Sequence, residues 1–344
     1  MVSLRVVAPV SPEAWASGHA AGRLPDASPY GLHRLADHGL IVDPRPLRVP
    51  AGRVARRVDG TLRHRGAGWE WWSRPGASRS DADVVVCWDE RTGIPAALGG
   101  SAAVATGVVW LSDTRPSAPW AAVARRALRR AAAVWVLSDA QVQPVREHWG
   151  VPASRLHRVP FGIDEVFWSP RGDGAATDGP PVVLGVGNDR HRDHAGLVAA
   201  VAGLPARLAL VTELPVAVPP EVGERVPVLD HVALRSRYES AAVVAVLLRP
   251  NLHASGVTTL LEAQAMGRPV VVSDTPGIRE YVEPGVTADL VPGGDIDAAR
   301  VAIARLLADP ARAAAMGAAG RRFVLRRGRS ADMVAALAEI LRAV

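Results

Sequence analysis

The chain has 344 residues, 49% hydrophobic and 22% charged, with a formal net charge of +6, the balance of a soluble globular protein large enough for two domains. All 40 basic residues are arginine, which excludes a Walker A lysine, a pyridoxal Schiff base and a lysine general base. No apolar run approaches about 18 residues and no leader-like pattern opens the chain, so neither a membrane span nor a secretory signal is predicted. The single cysteine, Cys87 in VVVCW, reads as a buried thiol, and a cytoplasmic location is expected.

In chain order, the first half predicts strands at 4–10, from 40, and at 84–88, 107–111 and 134–137. Helices are predicted at 30–39, 119–131 and 139–149. Residues 158–170 and the Gly-, Asp-, Ala- and Pro-rich residues 171–181 read as a linker. Composition changes near the same place: residues 1–165 hold 21 Arg against 15 acidic residues, the remainder 19 against 19, and the last of ten Trp is Trp168. The second half predicts strands at 182–186, 208–212, 226–229, 243–248, 270–273 and 288–291, and ends in an amphipathic helix over 330–344. Strands alternating with helices argue for parallel sheets covered on both faces.

The most informative stretch is NLHASGVTTLLEAQAMGRPVVVSDTPGIREYV, from Asn251 to Val282. Ser255-Gly256 opens a helix over 258–266 that contains Glu262; Gly267-Arg268-Pro269 stops it before a buried strand. A glycine ahead of a helix N-terminus presents backbone N–H groups and the positive end of the helix dipole to an anion. A carboxylate one to two turns further on is placed to reach a ribose.

This stretch resembles the donor-site signature of retaining glycosyltransferase family 4. That pattern has a Glu, seven residues, a second Glu followed by Ala, then G-x-P-V-V and a further glycine turn. Glu262-Ala263, Gly267 to Val271 and Thr275-Pro276-Gly277 fit, whereas Ala254 stands where the first Glu belongs. The run VPFGID and its following F-x-P are similar to the family's interdomain connection.

The resemblance implies an α/β, GT-B fold: two doubly wound, Rossmann-like domains facing across a cleft. Residues 1–165 would take the acceptor, 166–329 the donor, and the helix of 330–344 would cross back to the first domain. It implies a retaining, metal-independent hexosyl transfer from a nucleotide-diphosphate sugar, which acts as co-substrate with no further cofactor, to a small-molecule, lipid or glycan acceptor.

In GVGNDRHRD, Arg192 aligns best with the family's diphosphate-binding lysine, and Asn188 or Arg190 with its arginine. Ser255, Gly256, Val257, Thr258 and Thr259 would meet the phosphates, through the N–H groups of Val257 and Thr258 and a threonine hydroxyl. Glu262 would accept from the ribose. Asp113, expected at the end of a strand where family members often carry a catalytic-site His or Asp, is the catalytic candidate to bind the acceptor or the donor sugar, with Asp89-Glu90 a weaker acceptor-side candidate; Arg192 and Glu262 complete the catalytic set. Ala254 leaves three outcomes open: another sugar, a contact made instead by His253 or Ser255, or loss of turnover in a silent GT-B protein. Another GT-B reaction such as epimerisation is the further alternative.

The remaining patterns read as structural. Asp81-Ala82-Asp83 precedes its strand and Asp295-Ile296-Asp297 looks like a helix start, so neither D-x-D match is read as a metal site. No Cys/His spacing suits zinc. Arg125, Arg126, Arg129 and Arg130 suggest at most a peripheral contact with the inner membrane face, and no nucleic-acid motif accompanies them.

Overall fold

A computed structural model describes residues 2–8, 10–46, 82–99, 102–114, 119–172 and 179–344. Asp81 and residues 173–178 of the predicted linker lie outside the described residues. The chain divides into two compact units. The first comprises Met1–Ala20, Asp26–Pro160 and Met333–Val344, the second Ala21–Pro25 and Phe161–Asp332.

The first unit holds a sheet of β1 (Ser3–Ala8), β2 (Ile41–Pro46), β3 (Val84–Cys87), β4 (Ala103–Gly107), β5 (Ala133–Val136) and β6 (Leu156–Arg158). All pairings are parallel, in the order β2-β1-β3-β4-β5-β6. Strands β3 and β5 are buried at every residue, as expected of β-branched runs covered on both faces. Cys87 is fully buried, which pushes its thiol up to about 12. The last helix, Ser330–Arg342, buries Met333, Val334, Leu337, Ala338 and Leu341, a stripe at helical spacing. From its end Arg342 donates to the His38 carbonyl at 2.7 Å.

Pro12–Ala20 forms a further helix. Two expectations shift in this unit. The segment 30–39 forms a 3₁₀ helix over Pro29–His38 with Tyr30 and Gly31 at positive φ. The strand expected at 107–111 instead ends at Gly107. The apolar run that follows it turns because the N–H groups of Val109, Trp110 and Leu111 all donate to the Glu90 carboxylate, at 2.8, 2.7 and 2.8 Å. The alanine-rich strand before it, AVATG, carries the weaker apolar signal.

The second unit holds β7 (Val182–Val186), β8 (Arg207–Val211), β9 (Gly223–Val226), β10 (Val243–Val246), β11 (Val270–Asp274) and β12 (Asp289–Pro292). Its parallel order is β12-β11-β10-β7-β8-β9. The chain winds outward from β7 to β9, then returns to β10 and winds the other way. The strand predicted at 226–229 lies three residues earlier. As an edge strand β9 is half solvated and lacks an apolar run, and Gly223 faces the Leu208 carbonyl so closely that no side chain fits.

The residues read as a linker pack as structure. The Phe161 N–H donates to the Tyr281 hydroxyl at 2.9 Å. Asp164 accepts from the N–H groups of Val166 and Phe167, both at 3.0 Å. Trp168 is buried, with its ring edge-on to Tyr238 at 5.7 Å. No helix among the described residues is long and apolar enough to cross a membrane.

Candidate functional site

In an open parallel sheet, ligands bind beyond the carboxyl ends of the strands where the winding reverses. In the second unit that place lies between β7 and β10. Its walls are the loop 187–193 after β7 and the loop 247–256 after β10, which leads into helix Val257–Ala265. Backbone bonds join the loops: Asp193 N–H to Leu247 O at 2.9 Å and Arg249 N–H to His191 O at 2.8 Å.

Arg192 occupies the centre. It is 8% exposed and its Nη2 donates to Thr259 Oγ1 at 2.9 Å. Its Nε is buried without a partner, and it makes no ion pair among the described residues. Two glycines make room for it. A Cβ on Gly187 (φ 138°) would stand 2.5 Å from Arg192 Nε, and one on Gly256 (φ 89°) 2.7 Å from Nη1. Burial lowers the pKa of the guanidinium, against the pull of Tyr238, Asp189 and Glu262. A buried cation without an ion-pair partner is costly, so an anion placed beside Arg192 would be stabilised.

The helix 257–265 begins beside it. The N–H of Val257 already donates to Ala254 O at 3.0 Å, so it is not available to a phosphate as expected. The N–H groups of Thr258 and Thr259 have no acceptor within the helix by its geometry. The Thr259 hydroxyl holds Arg192, which leaves the exposed Thr258 as the hydroxyl open to a ligand. Ser255 is turned inward: its N–H donates to Asn251 Oδ1 at 3.0 Å and its hydroxyl to Asp189 at 2.9 Å.

Glu262 lies in the second turn, 8% exposed, and accepts from the Tyr238 hydroxyl at 2.8 Å. Burial raises its pKa to about 8, opposed by that hydrogen bond and by Arg192. Trp168, through Tyr238, thus buttresses Glu262. Asn188 is committed to the loop itself, accepting from the Thr212 hydroxyl at 3.1 Å and the Glu213 N–H at 2.7 Å. Arg190 is exposed.

The strongest element missed by sequence reasoning is Asp189. Its carboxylate accepts from the His191 N–H at 2.8 Å and the Ser255 hydroxyl at 2.9 Å, and lies 3.3 Å from the rings of both His191 and His253. Burial acts to raise its pKa, but the His253 contact and charge, with those N–H and O–H donors, hold it far below the carboxylate range. Both groups suggested as substitutes for the missing Glu, His253 and Ser255, are therefore oriented by Asp189. The sequence signal was a carboxylate inside GNDRHR, the loop already singled out for its cations. Ala254 itself is buried at φ 53°. Close against it, a Cβ on Gly277 would stand 2.7 Å from the Ala254 nitrogen, so the second glycine turn is needed for close approach.

In the first unit, Asp113 does not terminate a strand. It sits half buried in a 3₁₀ turn, Leu111–Asp113, beyond the end of β4. Asp89 pairs with Arg91 at 2.7 Å, and Glu90 serves the backbone as described above. Beside β1 and β3, where the winding of this sheet reverses, lies a cavity of about 340 Å³ whose lining includes Val6, Ala8, Leu32, Tyr30 and Trp88. Tyr30 stacks on Trp88 at 4.0 Å. Asp295 caps helix Ile296–Ala308 through the Ala298 N–H at 2.8 Å. Arg125 donates to the His148 carbonyl at 2.7 Å, so one member of the arginine-rich helix is internally engaged.

Residues 182–309 match the family described as glycosyl transferases group 1. A GDP-mannose-dependent alpha-(1-6)-phosphatidylinositol monomannoside mannosyltransferase of Mycolicibacterium smegmatis is 48% identical over 81 residues, 24% of this chain and 21% of that protein. An alpha-D-kanosaminyltransferase of Streptomyces kanamyceticus is 26% identical over 236 residues, 57% of this chain and 56% of that protein. The matched stretches thus span about a fifth to just over half the length of these relatives. Among solved structures, a sucrose-phosphate synthase from Thermosynechococcus elongatus superimposes with a TM-score of 0.74 at 20% identity, covering 100% of this chain and 99% of that one. Anabaena HepE in complex with UDP and glucose gives 0.70 at 14% identity, with 100% of both chains covered. The chain has the GT-B fold, and its second unit carries the segment that matches glycosyl transferases group 1.

Proposed function

We propose that this protein is a retaining glycosyltransferase of the family 4 type, moving a hexosyl group from a nucleotide-diphosphate sugar to an acceptor hydroxyl. The observation that carries the reading is Arg192: a buried guanidinium with an unpaired Nε, flanked by two glycines, at the start of a helix. The donor diphosphate supplies its missing counter-charge. Arg192 and the N–H groups of Thr258 and Thr259 hold the leaving phosphates, and Arg190 lies in the same loop for a second contact. Positive charge aimed where negative charge develops lowers the barrier to departure, so the transfer step itself runs without a metal. Glu262, braced by Tyr238, takes the ribose. By analogy with the family, the product is α-linked and the leaving phosphate helps to deprotonate the acceptor on the same face. The apolar cavity of the first unit favours an acceptor with an apolar part.

The relatives named for GDP-mannose and the neighbours bound to UDP define the donor test. Thermal unfolding is followed with UDP, GDP, ADP and dTDP and their sugars; saturating ligand raises the midpoint by mass action. One base should stabilise the protein and its nucleoside should not. No shift with any diphosphate would overturn the reading. Binding without hydrolysis or transfer of any sugar would support a silent GT-B protein, the outcome that Ala254 raises.

A further inference from the structure

Two loops of the second unit converge on one carboxylate. Asp189 Oδ1 lies 3.3 Å from His191 Nδ1, and Oδ2 lies 3.3 Å from His253 Nε2. One such atom from each of the three side chains lies within 4.8 Å of the other two. Charge-assisted N–H···O bonds prefer about 2.7–2.9 Å. A zinc ion with bonds of about 2.0–2.1 Å instead holds its tetrahedral ligand pairs about 3.3 Å apart. Each histidine nitrogen faces a different oxygen of the carboxylate, and each of the two spacings is longer than a strong charge-assisted hydrogen bond and equal to one N···O edge of a metal tetrahedron.

The arrangement is built in advance of any ion. The His191 carbonyl is fixed by the Arg249 N–H at 2.8 Å, and the His191 N–H by Asp189 at 2.8 Å. Ser255 donates to Asp189 at 2.9 Å, orienting the carboxylate as hydrogen-bond donors behind the ligands do at metal sites. His253 is 3% exposed, and the two imidazoles meet at 61° with centroids 4.9 Å apart, so they are not stacked.

We propose that Asp189, His191 and His253 bind a divalent transition-metal ion of the zinc class, which clamps loop 187–193 to loop 247–256. Two imidazoles and a carboxylate suit zinc and its late first-row neighbours, and three protein ligands leave a position for water. The ion takes the place of the protons between the rings and the carboxylate; no redox step is involved. The ion sits between the two loops that wall the candidate donor site, and because the titration is made without nucleotide its outcome does not depend on the donor reading.

The test uses the full chain, stripped with chelator and without nucleotide, titrated with Zn(II) by calorimetry and with Co(II) by visible absorption. The expected result is one ion per chain, an intense four-coordinate Co(II) band, and a rise in the unfolding midpoint on loading. Asp189→Asn and His253→Ala should each weaken binding by at least about 10-fold, the loss seen even for outer-shell partners, while His148→Ala should leave it unchanged. If His253→Ala does not fold, His191→Ala on the half-buried loop carries the same comparison. Unaltered stoichiometry and affinity in these variants, or no binding by the wild type, overturns the site. Either result leaves the nucleotide panel to stand or fall separately.

Discussion

Each unit buries a charge beside the place where its sheet changes winding, and the two are treated in opposite ways. In the first, Glu90 is 2% exposed and its carboxylate accepts three consecutive backbone N–H groups. Burial and the neighbouring Asp89 raise its pKa, and those donors oppose them. In the second, Arg192 is 8% exposed, has one protein acceptor and keeps a buried Nε unpaired. A satisfied buried charge fixes a turn. An unsatisfied one leaves part of the cost of desolvation unrelieved, which on the proposed reading an anionic ligand would offset.

The comparison breaks first at Glu90. Glu90→Ala orphans three N–H groups now held by a buried carboxylate and should cost roughly 3 kcal/mol or more, read as a fall in the denaturant midpoint at unchanged slope. Glu90→Gln, which keeps an acceptor, should cost less. Equal tolerance of both would remove Glu90 from its structural role.

Arg192→Gln should do the reverse. Stability stays level or rises, while affinity for the nucleotide diphosphate falls about 10- to 100-fold, the worth of charged hydrogen bonds. Calorimetry with the matched nucleoside should show no change; an equal loss for the nucleoside would argue against a phosphate role.

Gly256→Ala sharpens the contrast further. Its Cβ would meet Val246 Cγ1 at 2.6 Å and Arg192 Nη1 at 2.7 Å, whereas Gly22, at φ 69°, has nothing within 4 Å. Both changes place alanine in the left-handed region, at about 1–2 kcal/mol. Gly256→Ala alone should also weaken diphosphate binding, and equal affinities in the two variants would count against the crowding of Arg192.

A further effect is a pH slope from Glu262. Below its ordinary value of 4.5 the group is neutral in both folded and unfolded chains; up to about 8 it is ionised only when unfolded. The folded state then holds more protons, so stability should decline as pH rises through that window and level off above it. Glu262→Gln should flatten the decline in melts taken across pH, and an unchanged slope would place the titration elsewhere.

Much of this was legible beforehand. The β-branched runs at 84–87, 182–186, 243–246 and 270–274 declare interior strands, because a strand buried on both faces is apolar throughout. Half-solvated β9 and alanine-rich β4 carry no such signal, and both were displaced in the reading. The run VVWL looked like a strand because periodicity cannot register three N–H groups captured by a glutamate some twenty residues earlier.

The sequence by itself determined the two-part α/β plan, the glycine turn before helix 257–265, and the candidacy of Arg192 and Glu262, since each follows from local pattern and residue chemistry. Only the tertiary structure decided which groups meet: Asp189 with His253, Tyr238 with Glu262, Arg192 with Thr259. These partners lie on loops and helices 24 to 67 residues apart in the chain. The parallel order that sets β7 beside β10 brings the two loops together, and strand order is a property of the whole sheet that no local run of residues encodes.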